Sequence, residues 1–402
     1  MHLACDDLMA PEVIHDPHPW YHELRETDPV HWNERWGGWV ITRYDDVVAV
    51  LRDSDRFSSD RMAYLDRELS GPDRERFEPI FRVLAKWMVF IDPPDHTRLR
   101  RLLNVRFTPR AVEQYRPRIR SIVAGLVRDL HPGQKLEVVH EFAYLVPLAV
   151  ILDLMGAPAL DRDLIKKWSE QIGAFFFLRA DDPRRREVAC EGVNGLVEYL
   201  RPLIAQRRQN PGFDLISALI ASEETKEMTE DEIIATCVLL VFGGHETTMN
   251  LIANGLLAFI HHPEQWERVK KHPEFIESAV EELLRYDGSV KTTVRWAKVD
   301  ADIAGVPVKA GQKVLVGLSA ANRDPRHFGC PDDLDVTRNP NLHVAFGHGI
   351  HVCLGASLAR MEAQEAFAAL IKKFEVPTLG AAPVEYHPSV VSRALKNLPI
   401  IL

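Results

Sequence analysis

The residues best suited to chemistry stand together near the C-terminal end, in Phe346-Gly347-His348-Gly349-Ile350-His351-Val352-Cys353-Leu354-Gly355. The close-set glycines imply a tightly turned backbone, and a long helical pattern begins at Ala356. A cysteine just ahead of a helix has its thiolate favoured by the helix dipole and by the unpaired amides of the first turn, which makes it a better metal ligand. Alone, such a cysteine is more often an inert, buried small side chain. Here it belongs to a pattern of six fixed positions, Phe-Gly-x-Gly-x-His-x-Cys-x-Gly. From average residue usage, that pattern should arise by chance in roughly one in a million chains of this length.

Three other segments carry groups of interest. The capping box Thr229-Glu230-Asp231-Glu232 starts a long apolar helix that leads into Gly243-Gly244-His245-Glu246-Thr247-Thr248. Each glycine inside a helix costs about 1 kcal/mol relative to alanine, so the pair predicts either a local distortion or a close approach of another group to the backbone. In Glu282-Leu283-Leu284-Arg285 a carboxylate and a guanidinium lie one helical turn apart, an arrangement that on an exposed surface contributes only a few tenths of a kcal/mol. In Asp92-Pro93-Pro94-Asp95-His96-Thr97-Arg98-Leu99-Arg100, His96 and Arg100 share one face of a helix start and by themselves read as a solvated basic face.

The cysteine segment resembles the haem-binding loop of the cytochrome P450 family. The other segments follow in that family's order, from a hairpin near Trp39 to the C-terminal tail. The resemblance implies a haem b whose iron is held by Cys353, within the loop that contains Phe346 and Gly355. A thiolate ligand pushes electron density onto iron and favours cleavage of the oxygen–oxygen bond. Gly243 and Gly244 match the groove where cofactor and oxygen approach the helix, and Glu246 and Thr247 match its proton-relaying acid and alcohol pair. Thr248 is read as packing or bonding the helix backbone. His96, Arg100, Arg295 and His351 match the partners of the haem propionates. Glu282 and Arg285, joined by Arg338, match a buried ionic network that stabilises the haem-loop side, with Leu334 standing where the family often has phenylalanine.

The implied reaction is monooxygenation, a hydroxylation or epoxidation of a hydrophobic small molecule by O2. Electrons come from NAD(P)H through a separate ferredoxin and its reductase, since no segment resembles a flavin or iron–sulfur domain. Regions resembling the family's substrate contacts hold Trp87, Met88 and Val89, then Phe175, Phe176 and Phe177, then Leu239 and Phe242. Further contacts are Val290, Lys291, Thr292 and Val294, with Val391 in the tail; together they suggest an apolar pocket. Lys291 is unusual in a stretch that commonly carries neutral residues and raises the hypothesis of a carboxylate-bearing substrate. Arg98, Arg101 and Arg106 form either a docking surface for an acidic electron donor or an ordinary solvated helix face. The alternatives are a peroxide-driven peroxygenase, a haem-binding sensor or carrier without turnover, and a zinc site from His343, His348, His351 and Cys353. The Glu246-Thr247 pair speaks against the first two, and the spacing against the third.

These groups need a scaffold of mixed type. Helical spacing dominates from Asp95 to Ile276, broken at Pro109, Pro132-Gly133, Gly156 to Pro158, Asp181 to Pro183 and Asn210 to Gly212. A hairpin is expected from Val30–Asn33 and Trp39–Thr42 around Gly37-Gly38, and the long stretch of weak periodicity from Ser54 to Pro94 reads as a long loop. Past Arg285 come short β-like runs, among them Val306 to Val308 and Lys313 to Leu318, then a helix from Leu354 to Phe374 and a β-like tail. No linker separates these parts, so the expectation is a single α+β domain over residues 1–402, predominantly helical.

The 402 residues carry a formal charge of −9, which gives no electrostatic reason to expect a nucleic acid or an anionic membrane as partner. No apolar run reaches the roughly 20 residues of a membrane span, and no signal peptide stands near the start. The five cysteines contain no Cys-x-x-Cys pair. The expected protein is cytoplasmic and monomeric.

Overall fold

The computed structural model describes residues 6–63, 72–177, 184–224 and 227–402. Its chain divides into two compact units. One comprises Met1–Ser58, Gln114–Val146 and Thr247–Leu402, and the other Ser59–Glu113 and Pro147–Glu246.

The first unit is organised by a five-stranded sheet. Val30–Asn33 and Gly38–Ile41 form the expected hairpin, turned at Gly37 with φ +66°. Gly38–Ile41 pairs in parallel with Lys313–Gly317, which pairs antiparallel with Thr292–Ala297, and Phe57–Ser58 closes the edge. Successive side chains of a strand point to opposite faces. Ile41, Val314, Val316 and Ala297 accordingly build one hydrophobic cluster, while Val40 and Leu315 join Trp20 and Tyr21 in another. The tail strand Pro399–Ile401 pairs with Lys135–Glu137 on one side and Thr378–Leu379 on the other. That pairing joins segments too distant in sequence for their spacing to announce it.

The second unit is helical in its described residues. Two of its helices, Arg162–Phe177 and Arg184–Gln209, are amphipathic, and bury Ile165, Ile172, Val193, Leu196 and Leu200. The stretch from Ser54 to Pro94 is not one long loop. It contains the helix Pro72–Leu84, whose apolar period is obscured by charged residues and by Pro79 inside it, and a single turn at Met88–Phe90.

The helix Glu230–His261 passes from the second unit into the first, the division falling between Glu246 and Thr247. It opens on the predicted capping box: the Glu232 amide donates to Thr229 Oγ1 at 3.3 Å, and the Thr229 amide donates to Glu232 Oε2 at 2.8 Å. It runs unbroken through Gly243 and Gly244, so of the two expectations for the glycine pair the distortion is not what occurs. Among the described residues no helix is long and apolar enough to cross a membrane.

Candidate active site

In the first unit the cysteine loop is a chain of turns held by its own backbone. Gly347 and Gly349 both have φ +73°, and the Cys353 amide donates to the Phe346 carbonyl at 2.9 Å. At Gly349 no other residue fits, because a Cβ would stand 2.4 Å from the Leu51 carbonyl oxygen in addition to the left-handed backbone. His351 lies in the single turn Gly349–His351, and Gly355 is the N-cap of the helix Ala356–Lys373. Cys353 and the neighbouring Val352 are exposed, and a Cβ built at Gly355 would meet nothing within 4 Å. A thiol offered beside an apolar side chain, with open space over the adjacent glycine, suits a flat, metal-bearing cofactor.

Behind this loop lies a dense polar network. Glu282 and Arg285 are fully buried; Arg285 Nε and Nη2 each donate to a different Glu282 oxygen at 2.7 Å. Arg338 Nε reaches both Glu282 oxygens at 3.1 Å, and the carboxylate also accepts from the Asp335 amide and from Asn341 Nδ2, each at 3.0 Å. Arg285 spends its remaining donors on the carbonyls of Asn322, Pro331 and Asp333. The structure thus brings together the three residues named from sequence. It adds Asn341 and a backbone amide that no motif announces, and buries Leu334 beside them.

The zinc alternative fails. His343 Nε2 pairs with Glu281 at 3.1 Å, His348 Nε2 accepts from Arg52 Nε at 2.7 Å, and among the described residues no group of histidine, cysteine and carboxylate side chains could hold a metal ion.

The helix Glu230–His261 is buried over most of its surface, but Leu239, Phe242, Gly243, Glu246 and Thr247 are only partly covered or exposed. Their spacing of three and four residues puts them on one face. Gly243 keeps that face shallow, since a Cβ there would meet only Leu239 Cδ1, at 3.9 Å, whereas Gly244 lies against Ile151. The Glu246 carboxyl is pushed up to about 8, first by its burial and second by the like charge of Glu170. His245 points the other way, with its Nδ1 2.6 Å from the Val241 carbonyl, and burial holds it at about 4. Thr247 contributes its carbonyl to Ser289 Oγ at 2.6 Å, and Thr248 is buried.

In the second unit His96 is buried, and burial, then Arg100, lowers its basicity against the pull of Asp92. Arg100 Nε donates to Asn104 Oδ1 at 2.8 Å. Trp87 is buried with its ring stacked 5.8 Å from Phe90 and 5.5 Å from Phe242, which brings two predicted substrate contacts together. Met88 is buried and Val89 exposed. Phe175 is core, edge-on to Phe81, while the side chains of Phe176 and Phe177 lie outside the described residues. Arg98 is spent on Asp95, Glu232 and the Glu227 carbonyl, and Arg101 on Glu227, so this stretch is an ion-paired helix face in which two of the three arginines already have acidic partners.

In the first unit Arg295 is buried and donates to the Val294 carbonyl at 2.9 Å. Val290 and Val294 pack against the two hydrophobic clusters of the sheet, and the Thr292 hydroxyl donates to the Val390 carbonyl at 3.0 Å. Those three are accounted for by packing and bonding within the unit. Val391 is partly exposed, and its carbonyl accepts from the Lys291 amide at 2.7 Å.

The family model for cytochrome P450 matches residues 39–400. The chain is 38% identical over 396 residues to the biotin biosynthesis cytochrome P450 of Bacillus subtilis (strain 168), covering 97% of each. It is 37% identical to the vitamin D(3) 25-hydroxylase of Pseudonocardia autotrophica, covering 98% of this chain and 96% of that one. A crystal structure of P450BioI in complex with an acyl carrier protein ligated to hexadec-9Z-enoic acid superposes with a TM-score of 0.90 at 36% identity, covering 97% of this chain and 100% of that one. The chain belongs to the cytochrome P450 family and is an enzyme of its bacterial monooxygenase branch, with that family's fold and its haem-thiolate cofactor.

Proposed function

We propose that the chain acts as one catalytic unit that inserts one oxygen atom of O2 into a hydrophobic small molecule, with NAD(P)H-derived electrons delivered by a separate ferredoxin and reductase. Cys353 would supply the thiolate that holds the haem iron, and His96, Arg100, Arg295 and His351 would be the partners of the propionates. When bound, the haem supplies oxygen activation, and the protein contributes ligand, orientation and protons.

The observation that carries the reading is the open face of the helix Glu230–His261, where Glu246, a carboxyl that keeps its proton near neutral pH, is followed directly by Thr247. A general acid works best when its pKa lies near the working pH, and Glu246 meets that condition. Reprotonation requires a path for water, for which the missing side chain at Gly243 leaves room beside Leu239. Leu239 and Phe242 are the apolar side chains best placed on that face to meet substrate, with Trp87 packed against Phe242.

Two measurements test it. The reduced carbon monoxide complex of the purified protein should show the long-wavelength Soret band of thiolate ligation, and Cys353→Ser should lose it. Turnover supported by ferredoxin, reductase and NAD(P)H but not by peroxide alone separates the monooxygenase from the peroxygenase; consumption of no reduced cofactor with any ligand would leave a carrier.

A further inference from the structure

Lys291 is 3% exposed, and its ammonium makes no hydrogen bond or ion pair with any described residue. The backbone around it is pinned on both sides. Its amide donates to the Val391 carbonyl at 2.7 Å, its carbonyl accepts from the Ser319 amide at 3.0 Å, and Val290 bridges to Ser392. The nearest carboxylate, on Asp287, is committed elsewhere: Arg393 Nε lies 3.0 and 3.3 Å from its two oxygens. Burial, and after it the like charge of Arg393, pulls the lysine down to about 7 against Asp287.

Structural lysines find an acceptor or reach for water, because an unpaired buried charge is strongly disfavoured. This one has no acceptor among the described residues although it is 3% exposed. Val390 and Val391, which are tied to this stretch by the Thr292 hydroxyl and the Lys291 amide, remain partly exposed. A missing counter-ion next to uncovered apolar surface describes an amphipathic guest.

We propose that Lys291 anchors a carboxylate of the substrate, whose apolar body lies along the neighbouring valines. This rests on the monooxygenase reading above and narrows its substrate to acids.

The test uses haem-loaded wild type, Lys291→Met and Lys291→Arg, each first checked for the thiolate carbon monoxide spectrum; if wild type lacks that spectrum, the reading of the reaction fails, not the anchor. Dodecanoate and 4-phenylbutyrate are titrated against their methyl esters by the Soret shift. In wild type each acid should bind roughly tenfold or more tighter than its ester, the increment of a charged hydrogen bond. Lys291→Met should erase that margin and leave ester binding within about twofold, and Lys291→Arg should retain part of it. Without ligand, Lys291→Met should melt about 1–3 °C higher than wild type, as expected when an unpaired buried charge is removed. Equal binding of acid and ester, failure of both carboxylates to shift the band, a margin that survives in Lys291→Met, or a lower melting temperature for that variant would each overturn the proposal.

Discussion

Glu282 and Glu246 are both glutamates on helices, and they differ in everything that surrounds their oxygens. Glu282 accepts from Arg285, Arg338, Asn341 and the Asp335 amide, with every donor in place before any ligand arrives. Glu246 faces no such set; burial and Glu170 raise its pKa instead. The fully bonded carboxylate holds loops together, and the strained one is available to give up a proton. Glu362 is a third case. It too is buried and pushed well above its ordinary value, with Oε2 unbonded, yet it lies inside the helix Ala356–Lys373 and not on an open face.

The comparison is broken most severely by Arg285→Met, which strips the buried carboxylate of its bidentate partner. A loss of about 3–5 kcal/mol is expected, read by urea unfolding. A loss under about 1 kcal/mol would make the network ornamental.

Glu246→Gln should instead leave unfolding nearly unchanged and lower product formed per unit time by about a hundredfold or more. Because the folded-state pKa of Glu246, about 8, lies above its ordinary 4.5, its protonated form prevails through neutral pH. Wild-type turnover should therefore fall as pH rises through about 8, and the glutamine variant should lack that limb. The same shift predicts that stability contributed by this group is fully present below pH 4.5 and declines as pH climbs to about 8.

A smaller effect is expected from Gly349→Ala, about 1–3 kcal/mol of stability, together with a weaker thiolate spectrum, since the loop must shift away from the Leu51 carbonyl. Smallest of all, Glu362→Gln should change stability by no more than about 1 kcal/mol, towards greater stability at neutral pH, and leave the turnover profile untouched. A hundredfold loss of turnover there would erase the distinction between the two strained carboxylates.

Much of the site was legible because its signals are local. The turned cysteine loop, the capping box at Thr229 and the order of the motifs depend on backbone conformation and short spacing, which neighbouring residues dictate. The helix Pro72–Leu84 was missed for the same reason, its local signal being masked by Pro79 and its charges. The buried link from Asp287 through Arg393 to the carbonyls of Ile14 and His15 was invisible, because it joins residues hundreds of positions apart.

By itself the sequence determined the thiol, the turn that presents it, the acid beside the threonine and the family whose chemistry they serve. Only the tertiary structure decided which charges are satisfied. Glu282 and Lys291 are both buried charged residues, and whether a charge has a partner depends on what distant strands and loops bring within hydrogen-bond reach of it, which spacing along a chain does not encode.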